Sequence, residues 1–144
     1  MESRLNFLVD TNVWLERLLE QENASVVDDF LKLVPSYYLS VSDFSLHSIG
    51  VIMHKLHKLD VFSVFIDDLF AHGSVSCLQT SPTDNQDIIR VILDKHLDYD
   101  DAYQVVISQL FDLHIVTFDK DFKKCGIKTL TPKEAGEKFR RSKK

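Results

Sequence analysis

The sequence predicts an α/β fold: a three-layer α/β/α sandwich with a mainly parallel central sheet. Short apolar runs alternate along the chain with amphipathic helical segments, and parallel strands require helical crossovers of this kind. The 144 residues include only four glycines and three prolines, which leaves little room for linkers between domains. We therefore expect a single domain over residues 1–138 and a basic tail over residues 139–144.

The strands are predicted where short apolar runs are bounded by polar or turn residues. These runs cover residues 5–9, 37–41, 75–78, 114–118 and 126–130.

Helices are predicted where apolar residues recur at helical spacing. Asn12 can cap the first helix and Ser42 a later one, while Gly73 ends another. Two segments share a start signal of cap, proline and acid, at residues 81–84 and 131–134. The predicted helices follow residue 12, cover residues 24–33, 42–57 and 61–70, follow residue 81, cover residues 100–112 and follow residue 131.

Charge is unevenly distributed along the chain. The net charge is −5, yet residues 120–144 contain ten lysines and arginines against three acids. A basic end could contact phosphates, or it could be a solvated tail. No apolar run is long enough to span a membrane, no signal peptide is recognisable and the two cysteines fit no zinc spacing, so we expect a cytoplasmic protein.

Several acids follow predicted strands. Asp10 follows the first strand and Asp119 follows residues 114–118, while Asp43 opens the helix after the second strand. Asp100 and Asp101 open the helix that leads into the Asp119 strand. Ligands bind at the carboxyl ends of parallel strands, so we expect these carboxylates to converge at one edge of the sheet.

A cluster of carboxylates favours a hard divalent cation. The acids repel one another unless a cation lies between them, and oxygen ligands without His or Cys indicate Mg²⁺ or Mn²⁺. The matching chemistry is metal-assisted phosphodiester hydrolysis. For Asp43 and Asp100 a simple helix-capping role is an alternative; for Asp10 that alternative is weaker, because Asn12 is available as a cap.

The order of these motifs resembles the PIN-domain nucleases and, within them, the VapC-type toxins. Residues 9–12 (Val-Asp-Thr-Asn) are similar to the first PIN motif, Asp100-Asp101-Ala102 to the third, and residues 116–122 to the fourth. The similarity extends over about residues 5–135.

The resemblance implies a metal-dependent endoribonuclease that acts on an RNA substrate, often as a homodimer, with an antitoxin protein as partner. It implies that Asp10, Asp101 and Asp119 bind Mg²⁺ or Mn²⁺. Asn12 or Thr11 would support Asp10 through hydrogen bonds, and Asp121 could act as an outer acid.

One motif departs from the family pattern. PIN nucleases usually carry a glutamate in the first turns of the helix after the second strand, near His47 or Ser48 here, and this chain has none. Asp43 could replace it as a catalytic residue, and His47, one turn later on the same face, could contact the site.

Three other functions are weighed against the nuclease. A dehalogenase-like phosphatase needs an aspartate where Asn12 stands, and a response-regulator receiver needs an acidic pair near Asp10 and a central phosphoacceptor. Both are disfavoured. A PIN-like RNA-binding or regulatory module with little catalysis stays open because of the missing glutamate.

Overall fold

A computed structural model describes residues 5–143 of the chain. Its sheet contains four strands, all parallel, in the order β3-β2-β1-β4. Along β1, Phe7 pairs with Leu39 on one side and with His114 on the other. The strands are β1 (Phe7–Val9), β2 (Leu39–Ser42), β3 (Ser76–Leu78) and β4 (His114–Val116).

Helices connect these strands. A π-helical turn at Asp67–Ala71 continues the fourth helix, and short 3₁₀ turns precede β2 and the fifth helix. The helices are α1 (Thr11–Leu18), α2 (Ala24–Leu33), α3 (Asp43–Lys55), α4 (Leu59–Ile66), α5 (Asn85–Lys95), α6 (Tyr99–Leu110), α7 (Asp121–Lys124) and α8 (Pro132–Ser142). Within residues 5–143, none is both long and apolar enough to cross a bilayer.

The sheet separates two hydrophobic cores. Successive side chains of a strand point to opposite faces, so Phe7 and Val9 enter one core and Leu8 the other, all fully buried. Trp14 and Phe30 belong to the first core, and the second contains the buried face of α6. This arrangement confirms the predicted three-layer α/β/α sandwich around a parallel sheet.

The predicted fifth strand forms only a single bridge. Val116 pairs with Leu130, and Thr117 donates its backbone N–H to the Leu130 carbonyl at 2.9 Å. Gly126, the first residue of the segment, has a φ of +82°, a left-handed conformation that turns the chain instead of extending it. One bridge suffices to hold the segment beside β4, but residues 126–130 do not form a strand.

The C-terminal segment differs from the expected tail. Helix α8 begins with the predicted Thr131–Glu134 capping box and continues to Ser142. Phe139 is only 6 % exposed and packs against the ring of Tyr38 at 5.1 Å. Because an aromatic side chain at residue 139 joins the core, the boundary expected at residue 138 falls inside a helix.

The residues at two helix ends have different roles from those predicted. Asp10, and not Asn12, is the N-cap of α1, and it accepts the Thr11 backbone N–H at 2.9 Å. Gly73 follows the π-helical turn, where a Cβ atom would lie 2.5 Å from the carbonyl oxygen of Asp68. Gly73 is thus required by close packing against the preceding turn, not by a left-handed cap.

Candidate active site

Acidic residues from three parts of the chain line one cleft. Asp10 follows β1 and Asp119 lies just beyond β4; because these strands are adjacent and parallel, their carboxyl ends lie side by side. The first turns of α6 add Asp100 and Asp101. This acidic cleft has a volume of about 280 Å³, and it brings together four of the acids predicted from the sequence.

Asp10 is buried and held by hydrogen bonds on both carboxylate oxygens. It is 8 % exposed. Its Oδ1 accepts from the Thr11 N–H and from Gln104 Nε2, both at 2.9 Å. Its Oδ2 accepts from the Thr117 hydroxyl at 2.8 Å and more distantly from Asn12 Nδ2 at 3.5 Å. The carboxylate therefore has a single, well-defined orientation at the end of β1.

Gln104 is a site residue that the sequence analysis missed. It is 1 % exposed and donates from Nε2 both to Asp10 and to Ser45 Oγ, the latter at 3.0 Å. Ser45 also accepts the Thr11 hydroxyl at 2.8 Å, so the network joins α1, α3 and α6. The sequence contains one indication of its role, a single amide residue three positions after Asp101 within a run of mainly apolar side chains.

A second set of hydrogen bonds positions Asp119. Thr117 Oγ1 accepts the Asp119 backbone N–H and the Asn12 amide, both at 3.0 Å. Asn12 Oδ1 in turn accepts the Phe118 N–H at 3.2 Å. Asn12 and Thr117 thus connect the loop after β4 to the start of α1, and Thr117 was not predicted.

The electrostatics of the acidic cleft disfavour ionised carboxylates. Burial raises the pKa of Asp10, its hydrogen bonds from Gln104, Thr117 and Thr11 oppose this, and the charge of Asp119 raises it further. Burial, followed by the nearby charges of Asp98, Asp10, Asp119 and Asp100, raises the pKa of Asp101 to about 7. A bound cation would lower both pKa values.

The donor set fits a partly hydrated ion better than a closed metal cage. Throughout residues 5–143, no three His, Cys, Asp or Glu side chains already stand together as ligands of one ion. Mg²⁺ commonly takes one or two protein carboxylates and keeps several waters. Asp10, Asp101 and Asp119, lining one open cleft, can supply ligands of that type.

Asp43 and His47 lie outside the acidic cleft. Both are exposed and line a separate groove between α3 and α4. Asp43 accepts the Tyr103 hydroxyl at 2.6 Å and its neighbour's backbone N–H, from Phe44, at 2.8 Å. Ser48 instead faces the acidic cleft, because residues 47 and 48 differ by about 100° around a helix. The position nearest the family glutamate is therefore a serine, and Asp43 does not replace it geometrically.

The remaining predicted acids, Asp100 and Asp121, differ in their relation to the acidic cleft. Asp100 lines the cleft and is exposed. Asp121 lies outside it, at the start of α7, where its backbone N–H donates to Asp119 Oδ1 at 2.8 Å. Its own carboxylate lies 3.8 Å from Lys124. Asp121 thus contacts the site through its backbone and not through its acid group.

These features define an α/β protein with a carboxylate site at the carboxyl edge of its parallel sheet. Residues 7–128 match the model of the PIN domain, and the chain belongs to the PIN-domain family. No curated protein sequence matches it.

Solved structures share the fold at low sequence identity. A toxin-antitoxin complex from Klebsiella pneumoniae has a TM-score of 0.71 at 20 % identity, covering 88 % of this chain and 98 % of that chain. FitAcB from Neisseria gonorrhoeae has a TM-score of 0.68 at 19 % identity, with coverages of 88 % and 97 %. The sarcin-ricin loop cleaving toxin VapC20 from Mycobacterium tuberculosis has a TM-score of 0.71 at 11 % identity, with coverages of 87 % and 98 %. These likenesses show that the fold is shared over nearly the whole length of each neighbour.

Proposed function

We propose that this chain is a Mg²⁺- or Mn²⁺-dependent endoribonuclease that hydrolyses RNA phosphodiester bonds in the acidic cleft. The observation that carries the proposal is the buried Asp10 carboxylate, directed to the same cleft as Asp101 and Asp119. In the described part of the chain, no lysine, arginine or histidine forms an ion pair with any of the three. Like charges gathered without a basic partner favour binding of an external cation.

The ion would activate water and stabilise the charge that develops on the phosphate. Asp10, Asp101 and Asp119 are the residues that would hold it. Gln104, Thr117 and the Thr11 N–H keep Asp10 in place, and Asn12 with Thr117 keeps the Asp119 loop in place. RNA is the proposed substrate because a neighbour of the same fold, VapC20, is described as cleaving the sarcin-ricin loop.

A second candidate is a PIN-like RNA-binding or regulatory module with weak or no catalysis. Ser48 favours it, since a hydroxyl lines the cleft where the family usually presents a carboxylate. One ligand fewer weakens divalent-ion binding. The two candidates differ in whether bound RNA is cut.

The toxin role, an antitoxin partner and a homodimer are also proposals. Two structural neighbours, a toxin-antitoxin complex and a toxin, support the toxin role and the antitoxin partner, whereas the homodimer rests on the family resemblance alone. The groove between α3 and α4, of about 610 Å³, supports a protein partner because exposed Val51 and Leu59 lie along it. A cytoplasmic location fits the two free cysteines, Cys77 and Cys125, because reduced thiols are typical of that compartment.

The test compares the wild-type protein with Asp10→Asn. Mn²⁺ at about 100 times its Kd should stabilise the wild type by about 2.7 kcal/mol, seen as a higher Tm. Asp10→Asn should fold, because it removes a charge that burial disfavours. It should lose both the Mn²⁺-dependent shift and cleavage of labelled single-stranded RNA.

Asp94→Asn, an exposed acid on α5, is the matched control and should behave as wild type. Full cleavage by Asp10→Asn protein would refute the nuclease proposal. RNA binding without cleavage by the wild type, with Mn²⁺ present, would establish the second candidate.

A further inference from the structure

A second cleft adjoins the acidic cleft and shares a wall with it. Asn12 and Leu15 line both. The neighbouring cleft has a volume of about 320 Å³, larger than the acidic cleft at about 280 Å³. An RNA strand whose phosphate lies in the acidic cleft can therefore place the next nucleotide in the neighbouring cleft while remaining on the protein surface.

The floor of the neighbouring cleft is apolar and includes an aromatic ring. Leu15, Leu19, Ile52 and Phe118 form it, and all four are only partly buried. Phe118 directly precedes Asp119, so the ring and the acid are carried by the same short loop. Unpaired bases of RNA stack on aromatic and apolar side chains of this kind.

The rim of the neighbouring cleft carries groups that can read a base edge. Glu16 Oε1 accepts from the backbone N–H and the Nδ2 of Asn23, at 3.2 and 3.0 Å, which holds its side chain in one position. Within residues 5–143, its Oε2 accepts no hydrogen bond and the side-chain amide of Gln21 forms none. A fixed carboxylate oxygen and a free amide thus remain for a ligand.

We propose that the neighbouring cleft binds one unpaired nucleobase of the RNA, next to the phosphate in the acidic cleft. The inference rests on the proposed nuclease function and adds a determinant of sequence preference. Glu16 accepts from an amino group of guanine, adenine or cytosine. Uracil has no amino group, and oxygens flank its single N–H, so it is the least favoured base beside the Glu16 carboxylate.

Two variants and one matched control test this proposal in the full chain. Glu16→Gln keeps an oxygen for Asn23 but removes the charge, and Gln21→Ala truncates an exposed side chain. Glu22→Gln, an exposed neighbour that does not line the cleft, is the control. The probes are short single-stranded RNAs that differ only in the base beside the cleavage position, and non-cleavable counterparts with a 2′-deoxy methylphosphonate linkage at that position.

Wild type and Glu22→Gln should discriminate against uracil by about tenfold, the size of one good base contact. Glu16→Gln should reduce that discrimination to about twofold. Gln21→Ala should weaken binding of the favoured bases by about fivefold. The Tm of each variant, measured in parallel, establishes that it is folded.

The failures of the two proposals are distinguishable. If RNA is cleaved but neither variant changes base preference or affinity, the base-binding inference is overturned and the nuclease stands. If the non-cleavable RNAs bind with the predicted preference but no RNA is cleaved, the cleft is supported while the catalytic proposal fails. Equal binding of all four bases by the wild type also overturns the inference.

Discussion

Replacing Gln104 with leucine tests whether a buried amide controls the metal affinity of the acidic cleft. Gln104 Nε2 donates to Asp10 Oδ1 at 2.9 Å and to Ser45 Oγ at 3.0 Å. Its Oε1 is buried and, within residues 5–143, has no partner. Leucine has a similar volume but can form neither hydrogen bond.

The effect on stability should be small because two contributions oppose each other. A hydrogen bond to a charged group contributes about 1.5–3 kcal/mol and one to a neutral hydroxyl about 1 kcal/mol. Removing an unsatisfied buried oxygen returns about 1–3 kcal/mol. We therefore expect the free energy of unfolding to fall by about 1 kcal/mol, and by no more than about 3 kcal/mol.

The effect on metal binding should be much larger. Without Gln104 the Asp10 carboxylate loses a donor that lowers its pKa and fixes its orientation. Loss of a residue that orients a metal ligand typically reduces metal affinity or activity about 10–100-fold. Isothermal titration with Mn²⁺ at pH 7, together with the rate of RNA cleavage, measures this loss.

Gln109→Leu is the control for Gln104→Leu. Gln109 lies on the same helix and is exposed, so the substitution adds the same side chain without touching the site. Gln104→Leu protein that folds and binds Mn²⁺ within twofold of wild type would refute the positioning role. A loss of affinity that only matches the loss of folded protein would refute it equally.

Two further predictions concern stability. First, burial and neighbouring acids raise the pKa of Asp101 to about 7, so the metal-free fold is more stable when this carboxyl group is protonated. This contribution to folding stability is complete below the pKa of the unfolded chain, about 3.9, and is lost as the pH rises through 7. Asp101→Asn should therefore raise the Tm of metal-free protein at pH 8 by about 2–4 °C, allowing for solvent screening, and leave the Tm unchanged at pH 4. Thermal melts measure both shifts, and an equal shift at the two pH values would show that the ionisation of Asp101 is not the cause. Second, Gly73→Ala should destabilise the protein by about 1–3 kcal/mol, because the added Cβ would meet the backbone oxygens of Asp68 and Leu69 at 2.5 and 2.8 Å. Urea unfolding measures the loss, with Ser74→Ala as the control expected to be neutral. Unchanged stability of Gly73→Ala would contradict the prediction and show that the turn can relax.

Local patterns predicted most of the fold. The second helix was predicted at its observed bounds, Ala24–Leu33, because apolar spacing and Pro35 define both its face and its end. The Ser42 cap of α3 and the Thr131–Glu134 capping box of α8 were also confirmed. These features depend on residues within one or two turns of each other, so the amino-acid order alone specifies them.

Features that depend on distant partners were predicted less well. Residues 126–130 have strand-like composition, yet only Leu130 pairs with β4. Phe139 was assigned to a tail because lysines and arginines surround it, whereas its ring is buried against Tyr38. Charge and strand propensity are properties of a segment, but burial and pairing depend on what packs beside it.

The candidate site also contains residues that could be predicted from local sequence and residues whose roles depend on distant partners. Asp10, Asp101 and Asp119 could be predicted because each stands at the end of a strand or the start of a helix, and parallel topology brings such positions to one edge. The sequence alone thus determined the α/β alternation and the acids at that edge. Only the tertiary structure placed Gln104 and Thr117 on Asp10, turned Ser48 toward the acidic cleft and directed Asp43 and His47 away from it. Those outcomes depend on the rotation of α3 and α6 against the sheet, which is set by side-chain packing between segments far apart in sequence.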